Sequence, residues 1–205
     1  MTHEPILPQL PTDERVEVDS VEWLFEPDWP GERLMARIRD GDVRLTDASG
    51  AIVERLASVA ALLSRAVRAG SALLDGVWTL HPFIDDEGAI AEREAFVAID
   101  LVELDGESLL AVPFQERRRL LASVVEEGLQ VRVGALVKQP IGGWLVGWRQ
   151  AGFAHYLARH QNARYHPGER SDDWLRIPLE AAPAPGLLRR VIGGRGGTGT
   201  RRIRD

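Results

Sequence analysis

With 205 residues, 44% of them hydrophobic, the chain is long enough for one ordinary domain with a sizeable core. It contains no cysteine, which excludes disulfides, cysteine-ligated zinc, iron–sulfur clusters and thiol nucleophiles. The sequence has no uninterrupted apolar run of about 18 residues. Its start, MTHEPILPQLPTDE, lacks the basic-then-apolar order of a signal peptide, so a cytoplasmic protein without membrane contact is expected. The net charge of −6 conceals an asymmetry: residues 1–32 carry nine acidic side chains against Arg15, and residues 187–205 carry six arginines against Asp205.

In chain order, the proline-rich start (Pro5, Pro8, Pro11) predicts a flexible segment over 1–20. LMARIRDGDVRLTD alternates around Asp40-Gly41 and predicts a hairpin. From Ile52 to Ala69, Leu56, Val59, Ala60, Leu63 and Val67 fall at helical spacing, closed by Gly70. SALLDGVWTLHPF and EAFVAIDLVELDGESLL read as strands, the second broken by the Asp105-Gly106 turn. Pro113 opens a helix that carries Leu120, Leu121, Val124 and Val125 on one side and stops at Gly128. LQVRVGALV returns to a strand, Trp144 and Trp148 share a helix face, and a last strand lies near Trp174 to Ile177. Strands and helices mix without strict alternation, which predicts an α+β fold with mainly antiparallel sheets over 21–180. Residues 181–205, including GGRGGTG, read as a basic linker-like tail. GGRGGTG lacks the Lys-Ser/Thr ending of a phosphate loop.

Five segments in order resemble the adenylation (nucleotidyltransferase) domain of ATP-dependent DNA ligases, particularly the bacterial repair type. They are FEPDWPGER, DVRLTDASG, LLDGVW, FVAIDLVELDGESLLAVPFQERRRLL and RQAGFAHYLARHQNARYHPGERSDDWLRIP. The resemblance implies an ATP-grasp-like pair of antiparallel sheets with flanking helices and a cleft between them. In the family an oligonucleotide-binding (OB-fold) domain usually follows, but only a short tail remains here, so none is expected within this chain. Glu26, Gly31 and Arg33 match the family's nucleotide-attachment loop, but Asp28 stands where the nucleophilic lysine belongs and Pro30 where its aspartate belongs. Ala48 replaces an arginine of the next turn. Asp75 and Gly76 are retained, whereas Val77 replaces a glutamate. Ile99 replaces the base-stacking aromatic, ahead of a retained Asp100. Ala154 replaces the metal-binding glutamate, His155 a glycine, and Arg159, Arg176 and Pro178 three lysines.

Those exchanges bear on chemistry. Adenylyl transfer needs an amine that can shed its proton, and an arginine guanidinium stays protonated. Lys138, in ALVKQPIGG, is the sequence's one lysine and lies outside every matched segment, where a surface role is expected. Magnesium takes oxygen ligands, which Val77 and Ala154 do not offer, so no metal site and no bound cofactor are expected. His155, His160 and His166 fit no zinc spacing and read as structural, as Ser171-Asp172-Asp173 reads as a turn. The expected catalytic set is therefore empty, with Asp28, Pro30, Val77, Ala154, Arg176 and Pro178 as altered counterparts. Glu26, Arg33, Ile99 and Arg159 are expected in a vestigial nucleotide cleft. Pro30, Val77, Ile99 and Ala154 are expected to line one pocket more apolar than a nucleotide site.

The reading is a DNA-ligase-like protein without catalysis, serving as a binding or regulatory module linked to DNA repair and acting on a protein partner. The alternative is an ATP- and magnesium-dependent ligase or nucleotidyltransferase with residual or complemented activity. Weak DNA contact is expected through Arg159, Arg164, Arg170, Arg176 and the basic tail, an electrostatic contact that reads no bases.

Overall fold

In a computed structural model, residues 5–15, 17–84 and 90–179 are described, with the side chains of 81–84 and 90–91 left aside. Ten strands and three helices order as β1 (Leu10–Asp13), β2 (Trp23–Pro27), β3 (Glu32–Arg39), β4 (Asp42–Asp47), α1 (Ala57–Ala66), β5 (Ser71–Ile84), β6 (Ile90–Leu104), β7 (Glu107–Ser108), α2 (Phe114–Val124), β8 (Val131–Val133), α3 (Gly142–Gln150), β9 (His155–His160) and β10 (Arg170–Pro178). Two sheets result, one in the order β1-β10-β9-β2 and one in the order β4-β3-β5-β6-β7, with β8 added beside β6. The pairings are antiparallel except β1 with β10 and β6 with β8. The α+β expectation holds, and so does the fold implied by the resemblance.

Local chemistry accounts for the elements. Asp40 (φ 49°) and Gly41 (φ 86°) take the two left-handed positions of the β3–β4 turn, and Asp105 (φ 46°) and Gly106 (φ 85°) repeat this after β6. The larger sheet buries one face under α1 and α2: Leu34, Ala36, Leu74, Phe96, Ala98 and Leu101 pack against Val59, Leu63 and Leu121. A second cluster around Phe25, Tyr156, Trp148, Phe153 and Ile177 joins α3 to the smaller sheet.

Several expectations are corrected. The first helix covers Ala57–Ala66 and not 52–69, because Ile52 still pairs with Thr46 and the Val53 amide still bonds Leu45. The second helix ends at Val124, and Val125 turns extended to pair with Val67, so the chain leaves the helix before Gly128. Trp144 and Trp148 do share a helix, but Trp148 is buried and Trp144 half exposed. The segment 1–20 is not uniformly flexible. Leu10–Asp13 form a strand on β10, and Gln9 is 1% exposed. The tail expected to contact DNA lies outside the described residues, as does GGRGGTG.

Candidate functional site

The loop between β2 and β3 forms one lip of a cleft between the two sheets. Gly31 makes this loop possible. Its φ of 146° suits glycine, and a Cβ there would fall 2.2 Å from the Trp78 carbonyl oxygen. Gly76 on the opposing strand is equally constrained, since a Cβ would meet the Phe96 ring at 2.4 Å. The cleft encloses about 390 Å³ between Pro11, Asp13, Asp28, Pro30, Arg33, Val77, Arg170 and Arg176, among other residues.

Its charged groups are matched to one another. Arg33 grips Asp75 through two bonds of 2.5 and 2.7 Å, and the Tyr165 hydroxyl donates to the same carboxylate at 2.7 Å. Burial works against charge on Arg33, but the adjacent Asp75 carboxylate more than compensates and raises its pKa. Burial and the same carboxylate push the Tyr165 hydroxyl well up. Opposite, Arg176 donates from Nε to Asp28 at 2.7 Å, stands 3.8 Å from Asp13 and 3.2 Å from His155 Nδ1. Asp28 is therefore paired with an arginine.

Deeper in, a second network fills the space between the sheets. Asp100 receives Arg117 through two bonds of 2.8 Å and Arg159 at 2.6 Å. The Arg159 guanidinium lies between two rings, 3.7 Å from the Trp174 centroid and 4.1 Å from that of Phe114. Arg118 donates to the carbonyls of Ala98, Ile99 and Gly134. Burial disfavours the Asp100 charge, yet Arg117 and Arg159 outweigh it and hold the pKa below the ordinary value. Glu26 differs: it is 1% exposed, Arg159 Nη2 approaches only to 3.7 Å, and neither carboxyl oxygen has a hydrogen-bond partner among the described residues. Burial accordingly raises the Glu26 pKa above the ordinary carboxylate value.

The structure brings Asp28, Pro30, Val77, Arg33 and Arg176 to one cleft. It does not bring Ile99 and Ala154 there. Ile99 is packed with Val97, Leu157 and Trp174, and Ala154 is an exposed residue before β9. The expectation of a single apolar pocket is therefore corrected: two aspartates and three arginines border the cleft. Arg159 is 2% exposed and removed from the set of surface arginines available to DNA. Pro178 is exposed at the end of β10, opposite His155. Ala48 is exposed in a turn organised by the Asp47 carboxylate. Lys138 is exposed beside Val137, which pairs with Phe25, and does not border the cleft. The three histidines diverge: His155 touches Arg176, His160 packs on Trp23, and His166 bonds Gln9 through its amide.

A divalent cation does not fit these residues. The two carboxylates retained from the resemblance, Asp75 and Asp100, are each taken by arginines, and Val77 and Ala154 bring no oxygen from their side chains. Among the described residues no group of three or more His, Asp or Glu is spaced to hold a metal. Sequence reasoning missed Arg117, Arg118 and Tyr165. The only available signal was the run Arg117-Arg118-Arg119 on an amphipathic helix, where Arg117 and Arg118 fall on the buried side and Arg119 on the exposed one.

No family model matches the chain. The chain is 28% identical over 165 residues to the multifunctional non-homologous end joining DNA repair protein LigD of Mycobacterium tuberculosis, covering 76% of this chain and 21% of that protein. It is 29% identical over 174 residues to DNA ligase C1 of Mycolicibacterium smegmatis, covering 72% of this chain and 49% of that protein. The chain thus spans about a fifth of the length of the LigD relatives it matches. Among solved structures, the ligase domain of M. tuberculosis LigD superposes with a TM-score of 0.67 at 28% identity, covering 84% of this chain and 59% of that one. A mycobacterial DNA ligase D complexed with ATP gives 0.68 at 27%, covering 84% and 60%. The chain is homologous to the ligase domain of LigD and has its nucleotidyltransferase fold.

Proposed function

We propose that this chain, as a homologue of the LigD ligase domain, is a ligase-like module that forms no nucleotidyl intermediate and works by binding, in a DNA-repair setting. The observation that carries this reading is the Asp28–Arg176 ion pair, 2.7 Å long, at the cleft lip where the resemblance implies a lysine amine. A carboxylate there repels a polyphosphate, and the guanidinium beside it keeps its proton. The buried side supports the same conclusion. Glu26, Ile99 and Arg159 are 1%, 1% and 2% exposed, so the residues implied to meet the nucleotide are packed into the protein. Ligand binding to the native state alone raises Tm. Millimolar ATP with magnesium should therefore leave the melting temperature unchanged. A saturable rise would contradict the reading and favour the alternative of residual ligase activity, which the likeness to an ATP-bound ligase D keeps in view.

A protein is the main partner, and DNA is touched only weakly and electrostatically. Of the arginines first assigned to DNA, Arg164 and Arg170 are exposed within the described body.

A further inference from the structure

Helix α3 packs one side and leaves the other open. Ile141, Leu145 and Trp148 join the cluster of Phe25, Tyr156 and Ile177, whereas Trp144 is 50% exposed and Val146 49%. Nothing among the described residues overhangs the helix between them, since a Cβ added at Gly143 or Gly147 would meet no atom within 4 Å. The Trp144 ring continues the buried cluster outward: its centroid lies 6.3 Å from that of Trp148, which in turn lies 6.3 Å from Tyr156. A half-exposed tryptophan, a valine and two open glycines thus form an uncharged apolar surface that is continuous with the core of the smaller sheet.

The chain itself supplies a matching segment. Leu179, the last described residue, packs on this same cluster, and its amide donates to the Ala154 carbonyl at 2.8 Å, just beyond the end of α3. The sequence GLLRRVIGG follows, with Leu187, Leu188, Val191 and Ile192 at the spacing of one helical face and Arg189 and Arg190 between them. Eight residues of extended chain reach about 26–29 Å, roughly twice the length of a nine-residue helix. Charge agrees with this placement. The connector between β1 and β2 passes beside the cluster, with Val18 packed into it and the Val18 carbonyl held by Gln139 Nε2 at 3.0 Å, so Glu17 and Asp19 stand exposed on either side. Glu17 is near enough to Tyr156 that burial and this carboxylate together push the phenol up to about 12. We propose that residues 187–192 of the same chain dock on the Trp144–Val146 side of α3, with their apolar residues against Trp144 and with Arg189 and Arg190 turned toward Glu17 and Asp19. Proximity favours this occupant over a second molecule, because a short tether holds it at about millimolar local concentration. The remaining basic residues, from Arg195 onward, then extend from a fixed point beside α3. This goes beyond the reading of the cleft and requires nothing about nucleotide chemistry.

The test uses the full chain, which has no cysteine of its own, with Gly193→Cys carrying a nitroxide spin label. Magnetic resonance of the isotope-labelled protein follows the indole N–H peak of Trp144, identified by its loss in Trp144→Phe. That peak should be bleached by the nitroxide and return when the label is reduced with ascorbate. Adding Leu187→Asp and Val191→Asp to the spin-labelled chain should keep the peak visible, because the apolar contact is then lost while the folded body is untouched. A Trp144 peak that ignores the nitroxide overturns the proposal. So does equal bleaching with and without the two aspartates, since proximity would then owe nothing to the apolar residues. A mixture of isotope-labelled chain lacking the label and spin-labelled chain lacking the isotope should show no bleaching. Bleaching there would place a second copy on α3 and overturn the assignment to the chain's own segment.

Discussion

Replacing Arg159 by alanine isolates what the buried network contributes. The guanidinium is held between Phe114 and Trp174, bonds Asp100 at 2.6 Å, and is the nearest cation to Glu26. Asp100 keeps Arg117 in the variant, so its charge remains compensated in part. Glu26 does not, and a buried carboxylate stripped of its partner costs about 3–5 kcal/mol. Loss of a desolvated cation–π contact adds about 2 kcal/mol. These terms overlap, because protonation of Glu26 relieves part of the first, so the expected loss is about 4 kcal/mol. For a domain of this size that corresponds to a fall in Tm of about 8–16 °C. Urea unfolding followed by tryptophan fluorescence measures it directly. A loss below about 1 kcal/mol would refute the idea that the buried network between the sheets stabilises the fold. Arg159→Met with Glu26→Gln, which removes both charges while keeping volume, should recover much of the loss.

Three further outcomes follow from the same geometry. Gly31→Ala should destabilise by more than about 2 kcal/mol in urea unfolding, since the added Cβ meets the Trp78 carbonyl and the backbone φ is unfavourable for alanine. The raised pKa of Glu26 means that the native state holds more protons than the unfolded chain above pH 4.5, so this group makes stability fall as pH rises through that window. Arg159, Arg118, Asp100 and Arg33 are the charges that face it, and Glu26→Gln should flatten the pH dependence there, measured by unfolding from pH 4.5 to 7. Asp100 has the opposite sign: its depressed pKa gives stability that is lost as pH falls through the folded value, below 3.8, an effect that acid titration of Asp100→Asn should remove.

Most of the larger sheet was legible because its turns carry Asp-Gly pairs and its strands run long and apolar. The smaller sheet was harder. β2 and β9 are short, and β1 is a proline-bearing edge strand whose pairing is parallel and nonlocal, joining Leu10 to Arg170, so no local pattern announces it. At the site, the motif resemblance located Asp28, Arg33, Val77 and Arg176 together. It misplaced Ile99 and Ala154, since position in a motif does not say whether a smaller side chain faces the cleft or is covered by a neighbour such as Trp174. The stacking of Arg159 between Phe114 and Trp174 was illegible for the same reason: those three residues lie on different elements and meet only when α2, β9 and β10 converge.

Covalent labelling tests the proposed absence of nucleotidyl transfer most directly. The full chain and Asp28→Lys are incubated with α-labelled ATP and magnesium, then resolved by denaturing electrophoresis. Neither should carry label, because the variant restores an amine while Pro30 and Val77 leave phosphate and metal unsupported. A band on the unaltered chain that survives denaturation and vanishes in Lys138→Ala would contradict the account.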